Sequence, residues 1–107
     1  MIAFETFKKN VIKYFHKTFP LETMYAIKCS IGFREPDVPT IHQNFSAYFQ
    51  YEGKAIELNL YDGNWLLSDI TDEHTNGYAL YLNEGHSIEE CCDYLWYKDG
   101  VNLKNVS

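Results

Sequence analysis

The residues of this chain best suited to chemistry are four histidines, three cysteines and a scatter of carboxylates. His16, His42, His74 and His86 stand in no HExxH pair and at no zinc spacing to a cysteine. Two groups come nearest to a metal set: His86 with Glu89, Glu90 and Asp93, and the consecutive Asp72, Glu73 and His74. Three adjacent side chains seldom converge on one ion unaided, and acids at a helix start are already favoured by the helix dipole. No cofactor is therefore expected. Nucleophilic chemistry has no better footing, because the chain holds no GxSxG elbow, P-loop or GxGxxG. Cys29, Cys91 and Cys92 form no CxxC pair. Neighbouring cysteines on a helix point about 100° apart, so Cys91 and Cys92 do not readily bridge. Reduced thiols packing as small apolar groups are expected. One carboxylate stands out: Asp69, where the apolar face of a strand ends. With no assembled nucleophile, base or metal set, the chain reads as a binding protein and not an enzyme.

The balance of charge is more specific than its total. Of the 107 residues, 22% are charged and the net charge is −6. Residues 1–34 carry six basic side chains against Glu5 and Glu22, a balance of +4, whereas residues 35–107 carry three lysines against thirteen acids, a balance of −10. Such asymmetry argues against a general nucleic-acid binder, which needs a broad basic face. It suits a surface that attracts a basic protein partner. At 46% hydrophobic and 17% aromatic residues, the chain can bury one modest core, so a single domain over 1–107 is expected. No apolar run approaches the ~20 residues of a membrane span. The opening MIAFETFKKN lacks the pattern of a secretion signal. The expectation is a cytoplasmic protein with no membrane or direct nucleic-acid partner.

These residues must be positioned by a small set of elements. From Ile2 to Phe19 the spacing predicts an amphipathic helix: Phe4, Phe7, Val11, Tyr14, Phe15 and Phe19 share one side, and Lys9, Lys13 and Lys17 the other. From Glu22 to Phe33, Tyr25, Ile27, Cys29, Ile31 and Phe33 alternate with smaller or polar residues, which predicts a strand with Cys29 on its apolar face. Residues 34–40 read as a loop.

Asn44 to Ile70 is the clearest segment. Glu52-Gly53 and Asp62-Gly63 separate three apolar-rich runs and suit two-residue hairpin turns. The first turn sets Phe49 opposite Ile56, Ala47 opposite Leu58 and Phe45 opposite Leu60. The second sets Leu60 opposite Trp65 and Leu58 opposite Leu67, with Asp69 opposite Ile56. Both turns place Ile56, Leu58 and Leu60 on one apolar face, and a one-residue slip would scatter it. Asn44, Ser46, Tyr48, Gln50, Glu57, Asn59 and Ser68 fall on the other, wetter face. A further strand is expected over Gly77–Leu82, with Tyr78, Leu80 and Leu82 inward. Ser87-Ile88-Glu89-Glu90 forms a capping box opening a helix from Ile88 to about Lys98, ended by Gly100. Residues 101–107 are expected to fray. Together these predict an α+β fold: a two-layer domain with an N-terminal helix, an antiparallel meander of about five strands and a C-terminal helix.

The order helix, meander, helix in an acidic chain resembles the frataxin architecture, which would imply a metal-handling domain. That family is expected to carry its acidic ridge on the first helix, where this chain has Lys8, Lys9, Lys13 and Lys17, so no residues carry over. In size, charge and class the chain is also similar to small acidic inhibitors of phages and mobile elements, including anti-CRISPR proteins. The expected function is a stand-alone inhibitor-like protein whose acidic part meets a basic, nucleic-acid-binding protein. The candidate contacts are Glu57, Asp69, Asp72, Glu73, Glu84, Glu89, Glu90 and Asp93, with Tyr48 and Tyr61 as aromatic anchors. A homodimer or adaptor pairing through a strand or sheet face is the other expectation.

Overall fold

The computed structural model describes residues 2–19, 21–38, 41–51, 53–72, 80–92, 97–98 and 101–102. The first helix, α1 (Phe4–Thr18), buries Phe7, Val11, Tyr14, Phe15 and Thr18 and leaves Lys9, Lys13 and Lys17 exposed. This is the division that the helical spacing predicts. Its aromatic stripe runs along one strand of the sheet: Phe4 and Phe7 meet Phe45, Phe15 meets Phe49, and Phe19 meets Tyr51.

The next segment corrects the sequence reading. Instead of a strand from Glu22, it forms a second helix, α2 (Leu21–Ser30), and only Gly32–Arg34 are extended, as β1. The period-two pattern of Tyr25, Ile27 and Cys29 coexists with a helical stripe of Met24, Ile27 and Ile31. The structure uses that stripe, burying Met24 and Ile27 and packing Ile31 against the core. Leu21, Glu22, Met24, Ala26 and Lys28 are strong helix formers, and over one short segment propensity outweighs alternation. Tyr25 and Cys29 are consequently exposed. Cys29 is not the core thiol that the alternation implied, whereas Cys91 and Cys92 are fully buried.

The meander follows: β2 (Asn44–Tyr51), β3 (Lys54–Tyr61), β4 (Asn64–Asp69) and β5 (Leu80–Gly85). With β1 they form one antiparallel sheet in the order β1-β2-β3-β4-β5. The register matches the expected pairs, including Phe49 with Ile56, Leu60 with Trp65 and Asp69 with Ile56. At the second turn Asp62 and Gly63 both take positive φ, 46° and 87°. That is the requirement of the tight hairpin whose twist matches the strands. The inner face, with Ala47, Phe49, Ile56, Leu58, Leu60, Trp65 and Leu67, forms one core with the buried faces of the helices.

The last elements differ more. In β5 the register shifts between Leu67 and Ser68, because Ser68 pairs with Tyr81 while Leu67 pairs with Asn83. Leu82 is the extra residue of that bulge and packs half-buried against the core, whereas Leu80 is exposed. The strand therefore runs past the expected end at Leu82 to Gly85, and residues 77–79 of the expected Gly77–Leu82 lie outside the described residues. The C-terminal helix, α3 (Ile88–Cys92), is shorter than expected. Tyr97–Lys98 (β6) pairs instead with Val101–Asn102 (β7). Asp-Gly stands between Lys98 and Val101 in the sequence. The expected helix therefore does not reach Lys98, while residues 99–100 and, of the tail expected to fray, residues 103–107 lie outside the described residues. No helix among the described residues is long and apolar enough to cross a membrane.

Candidate functional site

The helices that contact the sheet share their core with its inner face, and the alternation of the strands sends the remaining side chains to the opposite face. Besides a row of Gln50 and Ala55, three cross-strand rows build that outer face. One runs Arg34, Ser46, Asn59, Leu66 and Glu84; the next Gly32, Tyr48, Glu57, Ser68 and Tyr81; the third Asn44, Tyr61 and Asn64. At ~4.8 Å per strand, Tyr48 and Tyr81 stand about 14 Å apart on one row.

The β1–β3 part of this face is hollowed. Arg34, Glu35 and Pro36 wall a depression of about 450 Å³ whose floor is Asn44, Ser46, Tyr48, Glu57, Asn59 and Tyr61. Hydrogen bonds hold the floor in place. The Asn59 amide donates to Asn44 Oδ1 at 2.7 Å, to the Phe45 carbonyl at 3.0 Å and to Ser46 Oγ at 3.1 Å. Tyr48 stands directly opposite Glu57 in the β2–β3 register, with Ser46 two residues along the same face. Its phenol is raised above the ordinary value, first by burial and then by the charge of Glu57 and its hydrogen bond, against the opposing pull of Ser46 and Arg34. Tyr81 is likewise raised, first by burial and then by the charge of the nearby Glu84. Each tyrosine therefore stands near a carboxylate, and both phenols stay protonated at neutral pH.

One end of the hollow is fixed by a cluster that sequence reasoning missed. His42 Nδ1 lies 2.6 Å from Asp62 Oδ2, and the His42 ring stacks on Tyr61 at 5.6 Å and 20°. The other carboxylate oxygen of Asp62 accepts from the Gln43 backbone at 2.8 Å, and the Asp62 backbone donates back to the Gln43 carbonyl at 3.1 Å. Asp62 is held below the usual carboxylate range, chiefly by His42 and then by the Gln43 amide. The strand-entry segment is thus tied to the β3–β4 turn beside Tyr61. Asp62 was legible only as a turn residue, because its partner lies twenty positions away.

The eight candidate contacts among the described residues are divided between several elements. Glu57, Glu84, Tyr48 and Tyr61 lie on the outer face. Asp72 is in the turn after β4, and Glu89 and Glu90 are at the start of α3. Glu90 is engaged in the cap: its amide donates to Ser87 Oγ at 3.2 Å, and its carboxylate accepts from the His86 amide at 2.9 Å. The capping box is therefore present, with the return bond reaching His86 and not Ser87. Glu73 and Asp93 lie outside the described residues, as does His74, so both suggested metal sets are only partly described. Among the described residues no three His, Cys, Asp or Glu side chains are placed to hold a metal ion.

Asp69 has a structural task. Its Oδ1 accepts from the Thr71 backbone at 2.9 Å and from the Thr71 hydroxyl, which itself accepts from the Ala55 amide at 2.9 Å, and Lys54 Nζ lies 3.9 Å from Oδ2. Burial raises this carboxyl, but the two Thr71 donors and Lys54 outweigh it and leave the group lowered. A group lowered on folding contributes stability that is present above its unfolded value, 3.8, and lost as pH falls through the folded value. Asp62 has the same sign. The urea midpoint is expected to fall between about pH 6 and about pH 3, and to fall less in Asp69→Asn, whose amide still accepts from Thr71 but does not titrate. Equal falls in both proteins would refute this assignment.

No protein-family model matches the chain, and neither a curated protein nor a solved structure is detectably similar to it.

Proposed function

We propose that this is a non-enzymatic binding protein that receives a basic protein surface on the outer face of its sheet. One observation carries the reading: a face on which, among the described residues, no helix packs, hollowed over its β1–β3 part, and on which Tyr48 and Tyr81 each stand beside a carboxylate. Tyrosine supplies contact area at low entropic cost, and desolvated aromatic anchors dominate binding energy where interfaces have been dissected. Glu57 and Glu84 give the face its preference for cationic side chains, and Leu66 supplies an apolar centre. Asn59, Ser46 and Asn44 are held by one another, so less ordering is required when a partner arrives. In its most specific form, the partner is a nucleic-acid-binding enzyme and this protein its inhibitor, because such a groove already attracts negative charge. The proposed setting is the cytoplasm.

The test sets the chain beside a Glu57→Lys, Glu84→Lys variant and a Tyr48→Ala variant, each immobilised and exposed to the heparin-binding proteins of cells that express it. The chain is expected to retain a partner that salt releases, and both variants to lose it. Equal retention by all three would overturn the reading.

A homodimer is the second reading, favoured by β5. It is an end strand of the sheet, with Leu80 64% and Tyr81 53% exposed, and such an edge is a template for strand addition. It predicts twice the chain mass by light scattering, and a monomer at high concentration would exclude it.

A further inference from the structure

We infer that the exposed face of α1 is a contact surface for the phosphodiester backbone of a nucleic acid. The argument starts from an electrostatic oddity. In an acidic protein, α1 exposes Lys9, Lys13 and Lys17 at successive intervals of four. Like charges at that spacing repel along a helix. Lys8, beside them, is neutralised by Glu5 at 2.8 Å. Among the described residues no carboxylate lies within ion-pair distance of Lys9, Lys13 or Lys17. The fold thus keeps three mutually repelling cations in one line, and a ligand with a line of negative charge would relieve them.

The rest of the face selects the kind of polyanion. Thr6, Asn10, His16 and Glu5, the last paired with Lys8, are the other exposed side chains there, and hydroxyl and amide groups are common donors to phosphate oxygens. The apolar residues of α1 are committed to the core or half-buried against it, so this face has nothing to insert into a bilayer, as an interfacial helix does. Lysines are point charges without the fixed fork of arginine, which suits a backbone contact that ignores sequence. Successive lysines rise about 6 Å along the axis, and Lys9 to Lys17 about 12 Å. The face is therefore a short linear strip and not a pocket.

The whole-chain charge argues against direct nucleic-acid contact, but the layering removes much of that objection. The acids of the outer sheet face lie across the helix-on-sheet stack from this strip. The shortest extent of the molecule is 25 Å, and the path through solvent from one layer to the other exceeds the Debye length of about 8 Å at physiological ionic strength. The inference is independent of the proposed function, since the two surfaces belong to opposite layers and share no residue.

The test is fluorescence anisotropy of a labelled DNA duplex of about 20 base pairs, titrated with the full chain at low salt and at rising salt. Three lysine contacts predict that log K falls with log salt at a slope of about −2 to −3. Lys9→Glu, Lys13→Glu, Lys17→Glu together are expected to weaken binding more than about tenfold. Lys13→Glu alone should weaken it while raising the melting temperature, because two repelling pairs become attracting ones. That opposition separates loss of contact from loss of fold. Absence of duplex binding at low salt, unchanged binding by the triple variant, or binding only to phosphatidylserine vesicles would each overturn the proposal. Failure here with partner retention intact at the sheet face would remove this site and leave the other.

Discussion

Replacement of Phe7 by alanine is expected to destabilise the fold by about 3–5 kcal/mol. The ring is wholly buried and lies where every layer of the core meets. It stacks on Trp65 at 5.7 Å and 17°, meets Phe45 at 5.5 Å, and stands edge-on to Phe33 at 6.2 Å. Those partners come from β4, β2 and β1, so one side chain joins α1 to three of the five strands. Truncation leaves a cavity that rigid strands cannot close, and the cost of such cavities adds to the lost transfer energy. Against a total of about 5–15 kcal/mol for an ordinary domain, the loss is a large fraction. Urea titration followed by tryptophan fluorescence should show a lower midpoint with an unchanged slope. A loss below about 1 kcal/mol would mean that α1 does not seat on the sheet through this residue.

The second large effect is expected at Gly85. A Cβ built there would lie 2.6 Å from the Glu90 Cβ and 2.9 Å from the Cys91 backbone nitrogen. These atoms belong to the body of α3 and cannot swing aside as a long side chain would. The same approach lets the Asn83 amide reach the carbonyls of Glu90 at 3.0 Å and Cys91 at 3.1 Å, satisfying groups that a helix end leaves open. Gly85→Ala is expected to cost about 1–3 kcal/mol, typical of overpacking against fixed atoms, and to lift α3 from β5. Because Cys91 and Cys92 are buried by that docking, the specific readout is thiol labelling. Native chain should react rapidly at Cys29 alone, and the variant at further thiols. Labelling confined to Cys29 in the variant would show that α3 tolerates the added methyl group.

Legibility varied along the chain for identifiable reasons. The β2–β4 register was readable because two short turns constrain it independently and a slip of one residue would turn an apolar face to water. The α1 stripe was readable because eighteen residues sample the helical period several times. Leu21–Ser30 was misread because ten residues fit both periods, and the deciding propensities are small per residue. Beyond Cys92, Asp-Gly signalled a turn as clearly as it had at Asp62, but a capping box upstream suggested that a helix would run to meet it.

By itself, then, the sequence determined the α+β build, the meander and its register, the wet and apolar faces, and the placement of Tyr48 and Glu57 among the wet residues. These follow from patterns between near neighbours, which local geometry converts directly into faces. Only the tertiary structure decided which acids share a surface. Glu57 and Glu84 are brought onto one face by pairing across three strands, whereas the carboxylates of Asp69, Glu90 and Asp62 are turned to Thr71, the His86 amide, and His42 with the Gln43 amide. Whether a carboxylate is offered to a partner or engaged within the fold depends on which donors reach it through space, and a linear order of residues does not contain that distance.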